Sequence, residues 1–363
     1  MRKRLAFMGA GAVGSYIGGH LSRAGADVTL IDPWPDHIEA IKRDGLHLEG
    51  TQGEYLVRPR ALHLHEAQQL FADPVDIAFV CTKSYDTVWA TTLISQYLAP
   101  GGFIVSLQNS INEERIAGVV GWGRVLGCIA SSISVNAYAP GHVTRTVQPG
   151  GPGYTVFRVG EVHGRITPRA EQVAQLLTAI DSAKVTTNLW GERWTKLVLN
   201  ASGNGVSAIT GLGGKEMTLN PEIRRLTIQL TGEAIAVGEA LGFDIEPIRG
   251  LPPAVSRAAA EGDAAAYAQV EATMLKGLAR MTEDGRPSTG QDIQKGRRTE
   301  IDFLNGLVAE KGDEAGLPTP THKALVQVVK QVERKEVVPS PALVDRVWQL
   351  AGRGPVSIAQ PAR

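Results

Sequence analysis

The stretch from Arg4 to Asp32 constrains the fold more than any other. Arg4 to Met8 is a short apolar run, read as a strand, and it leads directly into Gly9-Ala10-Gly11-Ala12-Val13-Gly14. A helical stretch follows to Ala24, then Gly25, then a second apolar run from Val28 to Ile31 that ends at Asp32. Strand, glycine-rich turn, helix and strand together make a βαβ unit of the dinucleotide-binding type. Gly9 allows the tight turn, Gly11 lets backbone amides approach a pyrophosphate, and Gly14 lets the helix pack closely. The helix N-terminus, at Ala12 and Val13, favours the anionic phosphates. Asp32 lies 18 residues beyond Gly14. There a carboxylate accepts hydrogen bonds from both ribose hydroxyls of NAD and repels the 2′-phosphate of NADP. The next residues, Pro33-Trp34-Pro35-Asp36, hold no arginine; the nearest basic side chains are His37, Lys42 and Arg43, the last two in the following helix. NAD(H) is favoured on charge grounds, with NADP(H) left open. Trp34 reads either as a cover for the adenine or as a surface aromatic in a turn.

The βα pattern continues. Val75 to Thr82 and Phe103 to Leu107 read as further buried strands, with a helix from about Ser84 between them. Arg124 to Tyr138 and Thr155 to Glu161 read as later strands, with Pro140-Gly141 as a hairpin turn. Ligands bind at the carboxyl ends of parallel strands, which singles out Thr82, Lys83, Gln108 and Asn109; Lys83 is equally compatible with a solvated loop. Near residue 188 the pattern changes to helices, over 191–210, 220–242, 251–261, 263–283, 290–316 and 319–336. The expected class is therefore α/β, with an N-terminal Rossmann-type doubly wound sheet followed by an all-helical domain. The expected domains are 1–188 for the dinucleotide, 189–336 for substrate and catalysis, and 337–363 as a partly disordered extension with one short helix at 341–351.

Composition excludes several classes. At 363 residues the chain is long enough for two ordinary domains. Basic and acidic side chains balance at 37 each, so nothing electrostatic points to nucleic acid or an anionic membrane. No apolar stretch reaches transmembrane length, and the basic start, Met1-Arg2-Lys3-Arg4, runs straight into the first strand. A cytoplasmic protein is expected. Cys81 and Cys128 lie in apolar runs and read as reduced core residues. The eight histidines are scattered, and no metal site is expected. A helical domain with broad apolar surfaces favours a homodimer.

Two polar clusters stand out in the helical half. In Trp194–Thr210 (WTKLVLNASGNGVSAIT), Lys196, Asn200 and Asn204 recur every four residues, with Ser207 on the same stripe. On a helix the first three lie within roughly 80° of one another. The other directions are apolar, which predicts a buried helix whose polar groups need partners. A structural network between helices and a catalytic site both meet that need. The second cluster runs from Ser288-Thr289-Gly290-Gln291-Asp292 through Arg297-Arg298-Thr299-Glu300-Ile301-Asp302 to Asn305. Read as one helix, it puts Glu300 on the apolar stripe with Ile293, Leu304 and Leu307. A buried carboxylate needs a partner, often a cation, so Lys196 and Glu300 suggest a pair; a structural salt bridge or a charged helix face is the alternative.

A nucleotide fold followed by WTKLVLNASGN and later by STGQDIQKGRRTEIDFLNG resembles the ketopantoate reductase (2-dehydropantoate 2-reductase) family, over residues from about 4 to 336. The resemblance implies reduction of a 2-keto acid to its hydroxy acid by a reduced nicotinamide, normally NADPH. It implies Lys196 as general acid and Asn200, Asn204 and Ser288 as substrate contacts. Glu300 would fix the lysine and the reacting hydroxyl, close to the cofactor. Lys83 and Asn109 would sit near the nicotinamide, Asn109 also near the substrate. The chain departs from the family pattern at Ser110, where glycine is usual, at Gly205, where proline is usual, and at Thr289-Gly290, where Met-Leu is common. The Asp32 region replaces the NADP-binding basic residue, and the C-terminus is longer. The expected function is an NAD(H)-linked reductase or dehydrogenase of a small 2-hydroxy or 2-keto acid. Authentic 2-dehydropantoate 2-reductase with NADPH is the alternative, and a non-catalytic nucleotide sensor the third reading.

Overall fold

The computed structural model describes residues 3–131, 133–150, 154–281 and 285–355. The chain divides into two compact units, Met1–Leu189 and Trp190–Arg363.

The first unit holds twelve strands among the described residues: β1 (Arg4–Met8), β2 (Asp27–Asp32), β3 (Leu46–Gly50), β4 (Tyr55–Val57), β5 (Arg60–His63), β6 (Val75–Val80), β7 (Leu98–Ser106), β8 (Val125–Ala130), β9 (Val135–Ala139), β10 (His142–Arg145), β11 (Phe157–Glu161) and β12 (Ala183–Thr186). Eight form one sheet in the order β12-β11-β8-β7-β6-β1-β2-β5. It is parallel except where β11 runs against β8. The central strands β1, β6 and β8 are largely apolar and buried because both faces of the sheet are covered. Along β1, Leu5 and Phe7 join one core with Ile17 and Leu21, while Ala6 and Met8 join another with Ala90, Ile94 and Ile116. β1 lies between β2 and β6, so the chain order reverses beside the glycine loop. That is where doubly wound sheets bind their ligands.

A second sheet, β4-β3-β10-β9, was not legible in the sequence. The run Arg124–Tyr138 is two strands rather than one. β8 belongs to the main sheet and β9 to the small one, and residue 132 between them lies outside the described residues. The hairpin at Pro140-Gly141 joins β9 to β10, so the partner strand is His142–Arg145, not Thr155–Glu161. Gly141 takes φ 74 there, which a glycine adopts without strain.

The second unit is helical. The long helix Leu189–Thr210 buries Trp194, Leu197, Val198, Ala201, Val206 and Ile209. Trp194 fits because Gly238 is opposite: a Cβ there would stand 2.2 Å from the indole nitrogen, which instead donates to the Ala234 carbonyl at 2.8 Å. The single helix expected over 290–316 is broken. The chain forms Ser288–Gln294, a 3-10 turn Ile301–Phe303, and Asn305–Glu314. The break is a Schellman ending at Gly296, φ 62: Gly296 N–H donates to Ile293 O at 3.1 Å and Arg297 N–H to Asp292 O at 2.8 Å. Residues 282 and 283 of the helix expected over 263–283 lie outside the described residues, as does the tail from 356 that was expected to be disordered. The extension before that tail packs on the second unit. Val344, Val347 and Trp348 of the helix Leu343–Leu350 share a core with Val328, Val329 and Val332. Among the described residues no helix is long and apolar enough to cross a membrane.

Candidate active site

The glycine loop of the first unit is shaped by sterics. Gly9 has φ 98, and a Cβ on it would lie 2.7 Å from Thr82 N. A Cβ on Gly14 would lie 2.1 Å from the Gly9 carbonyl oxygen and 3.3 Å from the Cys81 Cβ. A Cβ on Gly11 would meet nothing within 4 Å. Two glycines thus hold the turn closed, while the third leaves open space over the start of the helix Ala12–Arg23, which begins with Ala12 and Val13. This is the cradle a pyrophosphate needs.

A buried histidine braces that loop. His37 is fully buried; its Nδ1 accepts from Gly141 N–H at 3.0 Å. The ring proton is therefore on Nε2, 3.0 Å from Ser15 Oγ, and Ser15 in turn donates to the Ala10 carbonyl at 2.6 Å. Burial pushes the pKa of His37 down to about 4, so it is neutral at pH 7. Trp34 stacks on its ring, centroids 5.0 Å apart. Sequence reading missed this chain because its members come from three separate segments.

Asp32 ends β2, only 8% exposed, and accepts from Trp34 N–H at 2.9 Å. The basic side chains that follow have carboxylate partners: Lys42 pairs with Glu66 at 2.7 Å, and Arg43 with Asp44 at 2.7 Å. At the ends of β6 and β7, Gln108 donates to the Thr82 carbonyl at 2.8 Å and to Thr87 Oγ1 at 2.9 Å, stitching the two strands together. Thr82, Lys83 and Asn109 are half-buried. The buried Asn112 holds the loop from beneath, donating to the Asn109 carbonyl at 2.9 Å and to Ser84 Oγ at 3.1 Å. Ser110 has φ 67, the left-handed conformation that explains why glycine is usual there. Of the two cysteines, both free, Cys128 is buried in β8 and Cys81 is only half-buried.

In the second unit the polar stripe of the long helix is not buried. Lys196, Asn200, Gly203 and Asn204 are half-buried and Leu199 is 36% exposed. A Cβ on Gly203 would meet nothing within 4 Å. The expectation of a helix apolar all round gives way to one with an open polar face. Towards the C-terminal end of that stripe, Ser207 is buried and donates to the Leu212 carbonyl at 2.7 Å.

A hydrogen bond joins the two polar clusters. Asn204 Nδ2 donates to Ser288 Oγ at 3.2 Å, across 84 residues of sequence. Next to it the helices touch: a Cβ on Gly290 would lie 2.4 Å from Ser207 Oγ, which accounts for glycine in place of a larger residue. Gly205 leaves room for Ile301 and Leu325, each 3.0 Å from where its Cβ would stand. Ile301 therefore packs one residue away from Asn204 and carries its neighbour Glu300 with it.

Glu300 is 3% exposed, though not because it lies on a helix stripe with Ile293. It caps the 3-10 turn, where its carbonyl accepts from Phe303 N–H at 2.9 Å. The loop is fastened by Thr299 N–H, which donates to Glu333 Oε1 at 2.7 Å. Further in, Asn305 Nδ2 donates to the Ala201 carbonyl at 2.8 Å and sits 3.0 Å from His322 Nδ1. His322 Nε2 donates to Leu230 O at 2.9 Å, and Thr321 Oγ1 to Glu233 Oε1 at 2.6 Å. Burial lowers the pKa of His322. These residues tie the long helix to its neighbours, and only Asn305 was noticed in the sequence.

Comparisons with known proteins show the family of the chain. The chain matches the family models described as ketopantoate reductase PanE/ApbA, over residues 5–159, and its C-terminal part, over 188–333. It is 30% identical over 332 residues to a 2-dehydropantoate 2-reductase of Archaeoglobus fulgidus, spanning 91% of this chain and 98% of that protein. One from Pyrococcus horikoshii is 28% identical, spanning 91% and 97%. Among solved structures, a PanE/ApbA family ketopantoate reductase from Ralstonia eutropha JMP134 superposes with TM-score 0.74 at 27% identity, covering 92% of this chain and 99% of the other. D-mandelate dehydrogenase with NADH and anilino(oxo)acetate superposes with TM-score 0.77 at 21% identity over the same shares, a likeness of fold.

Proposed function

The chain belongs to the ketopantoate reductase family, oxidoreductases acting on a CH–OH group, and from that premise we propose that it moves a hydride between NAD(H) and a small 2-hydroxy or 2-keto acid. Cofactor binding is assigned to residues 1–188 and substrate binding with acid–base chemistry to 189–336. The observation that carries this reading is the Asn204–Ser288 hydrogen bond. It joins two polar segments, far apart in sequence, on the open face that also bears Lys196 and Asn200.

Gly9, Gly11, Ala12, Val13 and Gly14 would hold the pyrophosphate, Asp32 the adenosine ribose, and Thr82, Lys83, Asn109 and Glu300 the nicotinamide end. The bound cofactor supplies or accepts the hydride. Lys196 does the proton work: its ammonium stabilises negative charge growing on the ketone oxygen and donates the proton from Nζ to it. In the oxidative direction the neutral amine takes the hydroxyl proton. Asn200, Asn204 and Ser288 orient the substrate carboxylate by neutral hydrogen bonds, and Asn109 is assigned to substrate binding as well. Glu300 positions Lys196 and the reacting hydroxyl.

NAD(H) is the proposed cofactor because Asp32 would repel a 2′-phosphate and because Lys42 and Arg43 are already paired with carboxylates. The fold carries NADH in D-mandelate dehydrogenase. Authentic 2-dehydropantoate 2-reductase with NADPH is the second reading, favoured by the names of the relatives. The test is a panel of hydroxy and keto acids with both nicotinamides, alongside NADH and NADPH binding to wild type and Asp32→Ala. NADPH bound more tightly than NADH by the wild type overturns the cofactor assignment. Turnover of 2-dehydropantoate alone among the acids selects the second reading. A homodimer and cytoplasmic residence belong to the same proposal, tested by sedimentation velocity and by fractionation.

A further inference from the structure

The small sheet brings two of the scattered histidines together. β3 and β10 run parallel with His142 opposite His47. Along β3, Leu46 and Leu48 point into the core while His47 and Glu49 take the other face. Along β10, Val143 is buried and His142 is half-buried on that same outer face. The imidazoles stack with centroids 4.2 Å apart. His142 Nδ1 lies 3.0 Å from Glu49 Oε1, and one ligand atom from each of His47, Glu49 and His142 lies within 4.8 Å of the others.

We propose that His47, Glu49 and His142 form a binding site for a first-row divalent cation, with Zn2+ the ion that fits. Two imidazoles and one carboxylate are a three-ligand zinc set that leaves a fourth position for water. Ligands about 2.0–2.1 Å from a tetrahedral ion lie about 3.3 Å from each other, so the His142–Glu49 pair needs only a small opening to admit one. The other carboxylate oxygen is already held: Tyr138 donates to Glu49 Oε2 at 2.6 Å. Such an outer hydrogen bond orients a carboxylate ligand. Tyr138 reaches it because the β9–β10 register shifts there, Ala139 pairing with His142 and Ala137 with Val143. The extra residue is Tyr138, re-aimed by the bulge.

The ion would cross-link β3 to the β9–β10 hairpin, bridging segments 93 residues apart. The hairpin turn at Gly141 is the one that donates to His37. A metal here therefore clamps the hairpin that braces the glycine loop. The signal was invisible in the sequence because strand pairing, not spacing, brings the ligands together.

The experiment uses the tag-free full chain, freed of metal with chelator, and titrates it with Zn2+ against a chromophoric competitor. The same titration is run on His142→Ala and Glu49→Gln, with circular dichroism and NADH binding as checks of folding. One Zn2+ per chain is expected, with affinity reduced at least about tenfold in each variant and a rise in the thermal midpoint of wild type alone. Co2+ in place of Zn2+ is expected to give the visible absorption of a tetrahedral nitrogen–oxygen site in wild type and not in His142→Ala. Zn2+ binding by wild type no tighter than by His142→Ala overturns the proposal and leaves a hydrogen-bonded Tyr–Glu–His group. Stoichiometric binding that both variants retain does the same.

Discussion

The loop after β1 and the segment from Ser288 to Glu300 both adjoin a helix, yet they keep their shapes by different means. In the first, Cβ positions decide: Gly9 and Gly14 are filled by neighbouring backbone and Gly11 is open. In the second, the helix stops at Gly296 in open space, and the loop is positioned by remote fastenings: Asn204 on Ser288, Glu333 on Thr299, and Ile301 against Gly205. A steric device fails at once when a methyl group is added. A tethered device moves by degrees, since each fastening is worth about 1 kcal/mol. The first suits a cofactor bound the same way in every cycle. The second suits side chains that several separate contacts must aim together.

The largest effect is expected at the proton. Lys196→Ala should bind NADH as wild type does and lose about two to four orders of magnitude in kcat. Glu300→Gln should lose less. Combined, the two losses should be far from additive if the residues act as a unit. Additive losses would separate Glu300 from the chemistry and leave it a structural member of the tethered segment. Unchanged turnover in Lys196→Ala with every substrate the wild type accepts would remove the lysine from the mechanism.

Acid should strike the glycine loop before the rest. His37 titrates at about 4 when folded and near 6.5 when unfolded. Above about pH 6.5 both states are neutral and its contribution is complete. Between about 6.5 and 4 the unfolded chain takes a proton that the folded chain refuses, so stability falls with pH. Below about pH 4 the contribution is gone. The full span is on the order of 3 kcal/mol. His20, also lowered to about 4 by burial and then by Arg23, adds in the same direction. Urea denaturation from pH 7.5 to 4 should show this slope, and His37→Gln should flatten it. A wild-type profile flat across the window would mean that His37 is not held neutral.

Gly14→Ala should cost about 2 kcal/mol, in the range of overpacked sites, because the new methyl meets the Gly9 carbonyl. It should also weaken NADH binding. Gly11→Ala meets no atom, so its stability should stay near wild type while NADH binding falls. Equal destabilisation by both would show that sterics do not shape this loop.

These contrasts explain what the sequence could carry. The first βαβ unit was legible because its instructions are contiguous: strand, three glycines, helix, strand and Asp32 lie within one short run. Lys196, Asn200 and Asn204 were legible as a helical stripe, though the open face was not, since Leu199 and Gly203 do not announce exposure. Glu300 was read as buried for the wrong reason. The inference assumed an unbroken helix, whereas Gly296 ends it and a separate turn buries the carboxylate. The His37–Ser15 chain, the Asn305–His322–Glu233 group and the stacked His47 and His142 escaped because each is made by pairing of distant segments. Periodicity reports on a residue's own helix or strand and carries no register between strands.

Gly296 is the place where the two kinds of device can be weighed directly. Its φ of 62 is a conformation that costs an ordinary side chain about 1–2 kcal/mol, and no neighbour would obstruct a Cβ there. Gly296→Ala therefore isolates backbone strain from crowding. The unfolded chain also loses freedom, which returns part of the cost, so a net loss of about 1 kcal/mol is expected. Gly296→Asn should lose less, because asparagine tolerates the left-handed region. Denaturation midpoints at constant m-value measure both. If the helix end matters chiefly by aiming Glu300, kcat should fall modestly in Gly296→Ala, with NADH affinity unchanged and recovery in the asparagine variant. A loss as large as that of Gly14→Ala would erase the distinction between the two segments, since crowding would then be shaping both.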